Sequence, residues 1–353
     1  MNRIKVFIID DSVVARRIVA AAIEASDDME VVGTAANGRV GLAKLQRLSP
    51  DAVVLDVEMP EMDGLETLLE LSSEHPHLPV IMFSSLTRQG AETTLEALSR
   101  GANDYVTKPV ASGIDEAKAE ITEQLLPKIR ALCEGVHHTG NLPAVPLPPP
   151  PAPVASRGST QVRVVGLGSS TGGPNALAEV VPELSGLGLP ILVVQHMPPI
   201  FTRLLAERLD SHSSLRVREA ESGDPLEANT VYVAPGDHHM VVSEDGSRVV
   251  LHRSAPVNSC RPAVDVLFDS LASRFGSQCL AAVLTGMGKD GFEGCRAIRN
   301  AGGRVFAQDE STSVVWGMPG YVSRSGVAEA TLPLDRIAPA IRKACGCEPG
   351  GVG

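Results

Sequence analysis

Neither a helix nor a sheet interior tolerates the run Gly140-Asn-Leu-Pro-Ala-Val-Pro-Leu-Pro-Pro-Pro-Pro-Ala-Pro153. Each proline fixes φ and removes a backbone donor, so the run stays extended and semi-rigid. With Ser156-Arg-Gly-Ser-Thr160 behind it, the run predicts a linker. A 353-residue chain divided there leaves two lengths that each suffice for a domain core. The expected boundaries are 1–125 for a first domain, 126–160 for a helix end and linker, 161–345 for a second domain and 346–353 for a tail.

On either side of the linker the same rhythm appears. Apolar runs at Ile4 to Ile9, Val31 to Ala35, Ala52 to Leu55, Val80 to Phe83 and Tyr105 to Val106 alternate with longer stretches of helical spacing. After Ser12, the recurrence of Val14, Ile18, Ala21 and Ala22 predicts a helix with that face inward. The second half begins with Val162 to Leu167, a Gly-rich turn, a helical stretch from Pro174, then Ile191 to Val194. The expected fold class is α/β, with two doubly wound parallel-sheet domains. A hairpin insert is expected around Val231 to Ala234 and Arg248 to Leu251.

Charge and composition narrow the function. The balance of 31 Lys+Arg against 42 Asp+Glu gives a net charge of -11, which argues against a nucleic-acid partner held by its phosphates. No run of apolar residues is long enough to span a bilayer, and the amino terminus lacks a signal-peptide cleavage site, so a soluble, cytoplasmic protein is expected. The six cysteines are scattered without a pairing framework, and Cys345-Gly-Cys347 has no further ligands nearby, so reduced thiols are expected.

Ligand chemistry in open parallel sheets gathers at the carboxyl ends of the strands. In the first half those ends carry Asp10-Asp11, Asp56, Ser84-Ser85 and Lys108-Pro109. Three carboxylates in one confined place repel one another and call for a hard divalent cation, Mg²⁺. A carboxylate beside that cation can accept a phosphoryl group while a lysine and a hydroxyl bind its oxygens. The duller account makes Asp10 or Ser12 a helix cap. The whole set, with Met59-Pro60, Asp63-Gly64 and Gly101-Ala-Asn-Asp-Tyr-Val-Thr-Lys-Pro109, resembles the flavodoxin-like receiver domain of two-component response regulators. The resemblance implies Asp56 as phosphoacceptor, Asp10, Asp11, Asp56 and the carbonyl of Glu58 as the Mg²⁺ site, Ser84 and Lys108 as the switch pair, and Tyr105 as the aromatic switch residue.

In the second half the turn Gly166-Leu-Gly168-Ser169-Ser170-Thr171-Gly172-Gly173-Pro174 admits two readings. A dinucleotide fingerprint needs glycine where Thr171 stands and an acid where Gln195-His196 ends the next strand. A nucleophile elbow, G-x-S-x-G, fits Gly168, Ser170 and Gly172, with Pro174 opening the helix. His196 then ends a neighbouring strand, and the strand Leu280 to Leu284 leads through Thr285-Gly-Met-Gly-Lys to Asp290. Serine, imidazole and carboxylate on one rim are the parts of base-activated acyl transfer. Each has a duller account: a strand-end histidine satisfied by backbone, and an Asp290 that caps the helix starting near Gly291. His238-His239 resembles a zinc pair without a third ligand.

Six segments together are similar to the chemotaxis protein-glutamate methylesterase family, whose catalytic domain is Rossmann-like and three-layered. They are Gly168-Ser-Ser170-Thr-Gly-Gly173, Gln195-His196-Met-Pro-Pro199, Ala234-Pro-Gly-Asp-His-His-Met240, Arg261-Pro-Ala-Val-Asp-Val-Leu-Phe268, Thr285-Gly-Met-Gly-Lys-Asp290 and Gly317-Met-Pro319. The resemblance implies Ser170 as nucleophile, His196 as base, Asp290 as orienter, the amide of Met287 as oxyanion donor and Thr171 beside the site. It also implies methyl-accepting chemotaxis receptors as substrate, a chemotaxis histidine kinase as phosphodonor and no cofactor in the catalytic domain. The receiver is expected to hold the esterase in check until phosphorylated, and receptor glutamine deamidation is expected as a second activity. Two positions depart from the family pattern. Ser169 replaces an alanine, leaving two adjacent serines of which the register favours Ser170, and Cys260 stands where histidine is expected.

Overall fold

The run Ile4–Ile9 is apolar at almost every position, and its last four residues are buried, as a strand covered on both faces requires. It is β1 of the first of two compact units, Met1–Asn141 and Leu142–Gly353. The computed structural model describes residues 3–109, 113–137 and 161–347; the proline-rich linker expected from the sequence lies outside them.

The first unit continues with α1 (Val13–Ile23), β2 (Met29–Ala35), α2 (Gly38–Leu48), β3 (Ala52–Asp56), α3 (Gly64–Glu74), β4 (Val80–Ser84), α4 (Arg88–Ser99), β5 (Asp104–Thr107) and α5 (Ile114–His137). All strand pairs are parallel, in the order β2-β1-β3-β4-β5. Helix starts follow local chemistry. Ser12 caps α1 by accepting from the Ala15 amide, and Asp63 and Glu66 form a reciprocal capping box on α3. The expected inward face of α1 is wrong by about one position. Val19, Ala22 and Ile23 are buried, whereas Val14 is 61% exposed. Val13 and Val14 sit in the first turn, where both are exposed.

The second unit contains β6 (Val164–Ser169), α6 (Gly173–Glu183), β7 (Ile191–Gln195), α7 (Phe201–Ser211), β8 (Arg216–Glu219), β9 (Thr230–Val233), β10 (His239–Val242), β11 (Val249–His252), α8 (Val264–Phe275), β12 (Cys279–Val283), α9 (Phe292–Asn300), β13 (Arg304–Gln308), α10 (Met318–Arg324), β14 (Ala330–Leu332) and α11 (Leu334–Ala344). Seven strands form one parallel sheet in the order β14-β13-β12-β6-β7-β9-β8. The expected hairpin is corrected here. Val231, Tyr232, Val233 and Ala234 are fully buried, and β9 pairs in parallel with β7 and β8. The antiparallel hairpin is β10 with β11. A short run buried on both faces belongs to a sheet interior; a surface hairpin would alternate. The chain leaves β6 and β12, which are neighbours, in opposite directions along the sheet, toward β7 and β13, and this opens a crevice at their carboxyl ends.

Candidate functional site

In the first unit β1 and β3 are the neighbours between which strand order reverses, and they deliver Asp10 and Asp56. Carboxylate oxygens of Asp10, Asp11 and Asp56 lie within 4.8 Å of one another. Lys108 reaches in from the end of β5, its Nζ 2.7 Å from Asp56 Oδ1 and 3.3 Å from Asp10 Oδ2. Asp10 and Asp56 are buried, whereas Asp11 is exposed. Burial pushes the Asp56 carboxyl up, Lys108 opposes this and Asp10 adds to it, so that it titrates at about 6. Asp10 Oδ2 and Asp56 Oδ2 are buried oxygens that make no hydrogen bond. An Asp56 oxygen without any partner, an Asp10 oxygen met only by Lys108, and a third carboxylate at the rim fit a small divalent cation. Ser12, not Asp10, caps α1; Asp10 Oδ1 instead accepts from the Ser12 amide at 2.7 Å.

The remaining expected residues surround this pocket. The amide of Glu58 approaches Asp56 Oδ1 at 3.4 Å. The Ser84 hydroxyl is fully buried and engaged with α4, donating to the Gly90 carbonyl at 3.1 Å and accepting from Thr94 at 2.7 Å. Tyr105 is buried, and burial raises its phenol well above the usual value. Thr94, which holds the Ser84 hydroxyl, went unnoticed in the sequence because threonine inside a helix carries no motif.

In the second unit the turn after β6 is clamped from β7. Gln195 Oε1 accepts from the Ser169 hydroxyl at 2.7 Å, and Gln195 Nε2 donates to the Ser170 carbonyl at 2.9 Å. A side chain at Gly173 would meet Gln195 Oε1 at 1.9 Å, and Gly172 adopts φ +76°, so both positions require glycine. Ser169 is fully buried and its hydroxyl committed; Ser170 is half-buried, and its hydroxyl makes no hydrogen bond among the described residues. Across the crevice the Ser170 amide donates to Thr285 O, and Thr285 Oγ1 donates to Thr171 O at 2.9 Å, tying the loops after β6 and β12 together. Met287 follows on that loop, half-buried, and its amide has no partner among the described residues.

His196 Nε2 lies 2.8 Å from Asp290 Oδ2. Asp290 does not cap α9; it reaches the start of α8, where the amides of Val264 and Asp265 donate to it at 2.6 and 3.1 Å. Asn258 Nδ2 adds a further bond at 2.9 Å. Burial alone would raise the Asp290 carboxyl, but His196 and these amides reverse this and hold it low. Nε2 therefore carries a proton toward Asp290, and Nδ1 is the nitrogen left for chemistry. Nδ1 faces Cys260 Sγ at 3.6 Å, with no hydrogen bond to Ser170 among the described residues. Apart from its ring contacts, His196 donates its backbone amide to Ser169 O, which sets it beside the β6 turn.

His239 spends both ring nitrogens on backbone, with Nε2 toward Ala255 O and Nδ1 accepting from the Ala263 amide, and His238 bonds Gly236 O, so the pair is structural. Asn258 and Asp265 were missed in the sequence. Asp265 carries a readable signal, an acid in the first turn of a helix just after Pro262, but nothing local tells which distant carboxylate meets that helix end.

The chain is similar to known proteins over nearly its whole length. A model of the CheB methylesterase family matches residues 165–341, and one of the response regulator receiver domain matches residues 6–118. A protein-glutamate methylesterase/protein-glutamine glutaminase of Trichodesmium erythraeum is 44% identical over 98% of this chain and all of that protein. One of Nocardioides is 46% identical over 97% of this chain and 95% of its own length. The crystal structure of the Thermotoga maritima CheB methylesterase catalytic domain, 43% identical, covers 52% of this chain and 99% of that chain with a TM-score of 0.50. With a receiver joined to a matching catalytic domain, and relatives that align from end to end, the chain belongs to the family of receiver-linked CheB methylesterases.

Proposed function

We infer that the chain removes methyl esters from glutamate side chains of chemotaxis receptors, deamidates receptor glutamines, and is controlled by phosphorylation of its receiver. One observation supports this reading above the rest: the His196–Asp290 pair at 2.8 Å on the rim that carries the clamped Ser170 turn.

In the proposed reaction Ser170 Oγ attacks the ester carbonyl carbon while His196 Nδ1 takes its proton, with Asp290 holding Nε2–H and stabilising the imidazolium. The Met287 amide and the neighbourhood of Thr171 face the oxygen that gains charge. The C–O bond to the methoxy group then breaks, and His196 returns the proton to give methanol. Water, deprotonated by His196, hydrolyses the acyl-serine and regenerates Ser170. With a glutamine side chain the same proton leaves on ammonia.

In the receiver, Asp10, Asp11, Asp56 and the Glu58 carbonyl would hold Mg²⁺, which when bound supplies positive charge against the phosphoryl oxygens. An Asp56 oxygen forms the bond to phosphorus as the donor's phosphorus–nitrogen bond breaks. Lys108, already 2.7 Å from Asp56, then pairs with the added charge, and Ser84 leaves its bonds to Gly90 and Thr94 to reach it. Donor and substrate are proposed to be a chemotaxis histidine kinase and the cytoplasmic helices of methyl-accepting receptors. Among the described residues no helix is long and apolar enough to cross a membrane.

The test is methanol release from membranes carrying methylated receptors, with and without a phosphodonor. The expected result is release that the donor raises for the wild type and leaves unchanged for Asp56→Asn. Release from simple soluble esters but none from receptors would overturn the substrate assignment.

A further inference from the structure

Cys260 meets conditions that the buried cysteines do not. It is partly exposed, whereas Cys133, Cys279 and Cys295 are buried. Its Sγ faces His196 Nδ1 at 3.6 Å, within hydrogen-bonding reach for sulfur. On the far side of the ring, Asp290 is an ionised acceptor that fixes the Nε2 proton. Thiol, imidazole and carboxylate thus stand in the order of nucleophile, base and orienter. The turn that presents the sulfur is built for position. Asn258 and Ser259 both adopt left-handed backbone, φ 51° and 61°, a conformation the surroundings must hold. Val257 and Cys260 exchange backbone hydrogen bonds, and Asn258 Nδ2 bridges Asp265 and Asp290.

We propose that Cys260 is a reactive thiol coupled to His196, and that its oxidation or alkylation switches the esterase off. This rests on the reading of His196 as the base in ester cleavage. Ester cleavage uses the form with the proton on sulfur and a lone pair on Nδ1. Thiol chemistry uses the other, thiolate beside imidazolium, the reactive form of cysteine. Burial alone would lower the His196 pKa, but its hydrogen bonds with Asp290 and Cys260 outweigh this and shift it upward. By contrast, burial raises the thiols of Cys279 and Cys295 far above their usual value and leaves them inert.

With hydrogen peroxide as oxidant, the Cys260 thiolate attacks one peroxide oxygen. The S–O bond forms as the O–O bond breaks, sulfur loses two electrons, and the departing hydroxide takes the Nδ1 proton to become water. The sulfenic acid lies against the nitrogen that must receive the Ser170 proton. One small thiol converts it to a mixed disulfide with loss of water, and a second thiol displaces the first and frees Cys260.

The full-length protein is labelled with iodoacetamide at pH 7 and each cysteine followed by peptide mass mapping. Cys260 should label about tenfold or more faster than Cys345 and Cys347, and His196→Gln should slow it by a similar factor. Unchanged labelling of the buried cysteines shows that the variant is folded. In parallel, peroxide should abolish most methanol release by the wild type, dithiothreitol should restore it, and Cys260→Ser should keep most of its own starting rate. Labelling no faster than at Cys345, labelling insensitive to His196→Gln, or equal peroxide loss in Cys260→Ser would each overturn the proposal. Absence of receptor esterase in the untreated wild type would refute the functional reading instead, and the labelling comparison would still decide the thiol.

Discussion

Ser169 and Ser170 are adjacent, yet substitution of each by alanine should give opposite phenotypes. Ser169 is fully buried and its hydroxyl donates to Gln195 Oε1 at 2.7 Å. Alanine there leaves a buried carbonyl oxygen without its donor, which costs about 1–3 kcal/mol. In a unit of this size each kcal/mol moves the melting midpoint by about 2–4 °C. The Ser170 turn itself stays clamped, because Gln195 Nε2 still holds the Ser170 carbonyl. Ser169→Ala is therefore expected to lose several degrees of stability and little of its rate. Ser170 is half-buried with no side-chain hydrogen bond among the described residues, so Ser170→Ala should stay within about 0.5 kcal/mol of the parent. Loss of a nucleophile of this kind costs about 10⁴-fold or more in rate. Thermal melts and methanol release on the same preparations separate the two effects. A Ser169→Ala variant that is as inactive as Ser170→Ala, or a Ser170→Ala variant that is the less stable of the two, would refute the reasoning.

Other expectations are open to similar tests. Asp56→Asn should lose the acid-labile label obtained from a phosphodonor with Mg²⁺; label persisting at another residue would refute Asp56. Because the folded-state pKa of Asp56 is raised from 3.8 to about 6, its ionisation disfavours the native state as pH rises through that interval. Asp56→Asn should match the wild type near pH 4 and gain up to about 3 kcal/mol by pH 7.5 without Mg²⁺, as urea unfolding at the two pH values would show. Asp290→Asn should lower ester hydrolysis by about 10⁴-fold, because the proton on Nε2 is no longer specified, and a rate within tenfold of wild type would refute the orienting role. If the receiver restrains the esterase, the fragment from Ala155 to Gly353 should release methanol faster than the unphosphorylated full chain, and equal rates at equal concentration would exclude restraint.

Much of this architecture could be read from the sequence because its signals are local. Ile191–Gln195 and all but the first two residues of Ile4–Ile9 are buried, so apolar continuity marks both runs, and the residues that follow them, Asp10 and His196, stand at the functional rim. The errors arose where a local pattern has two solutions. Thr230–Val233 is as short as a hairpin arm, and only its pairing with β7 and β8 makes it a sheet strand. Val14 fits a helical face with Ile18 but lies in the first turn, where it and Val13 stay exposed. The supports of Asp290 could not be read at all. Asn258, Val264 and Asp265 meet it across 25 to 32 residues of sequence, through a helix end whose direction only the packing of α8 determines.

The two units share a fold class and differ in how they treat buried charge, and that difference assigns their chemistry. Both place acidic residues where the strand order reverses, because only there does the backbone part and leave room for a ligand. In the first unit the carboxylates are under-satisfied. Asp56 Oδ2 is buried without a partner, Asp10 Oδ2 meets only Lys108 at 3.3 Å, and Asp56 is held at about 6 despite Lys108. Such a pocket gains stability by taking up a cation or by covalently capping an oxygen, so its state changes when a ligand arrives. In the second unit Asp290 has four donors, is held low, and fixes one proton on His196. Asp290 starts fully paired and leaves one imidazole nitrogen, Nδ1, faced only by the Cys260 sulfur, a preorganisation suited to repeated proton transfer. An under-satisfied pocket suits a switch and a satisfied one suits a catalyst, which is the physical ground for assigning control to the first unit and turnover to the second.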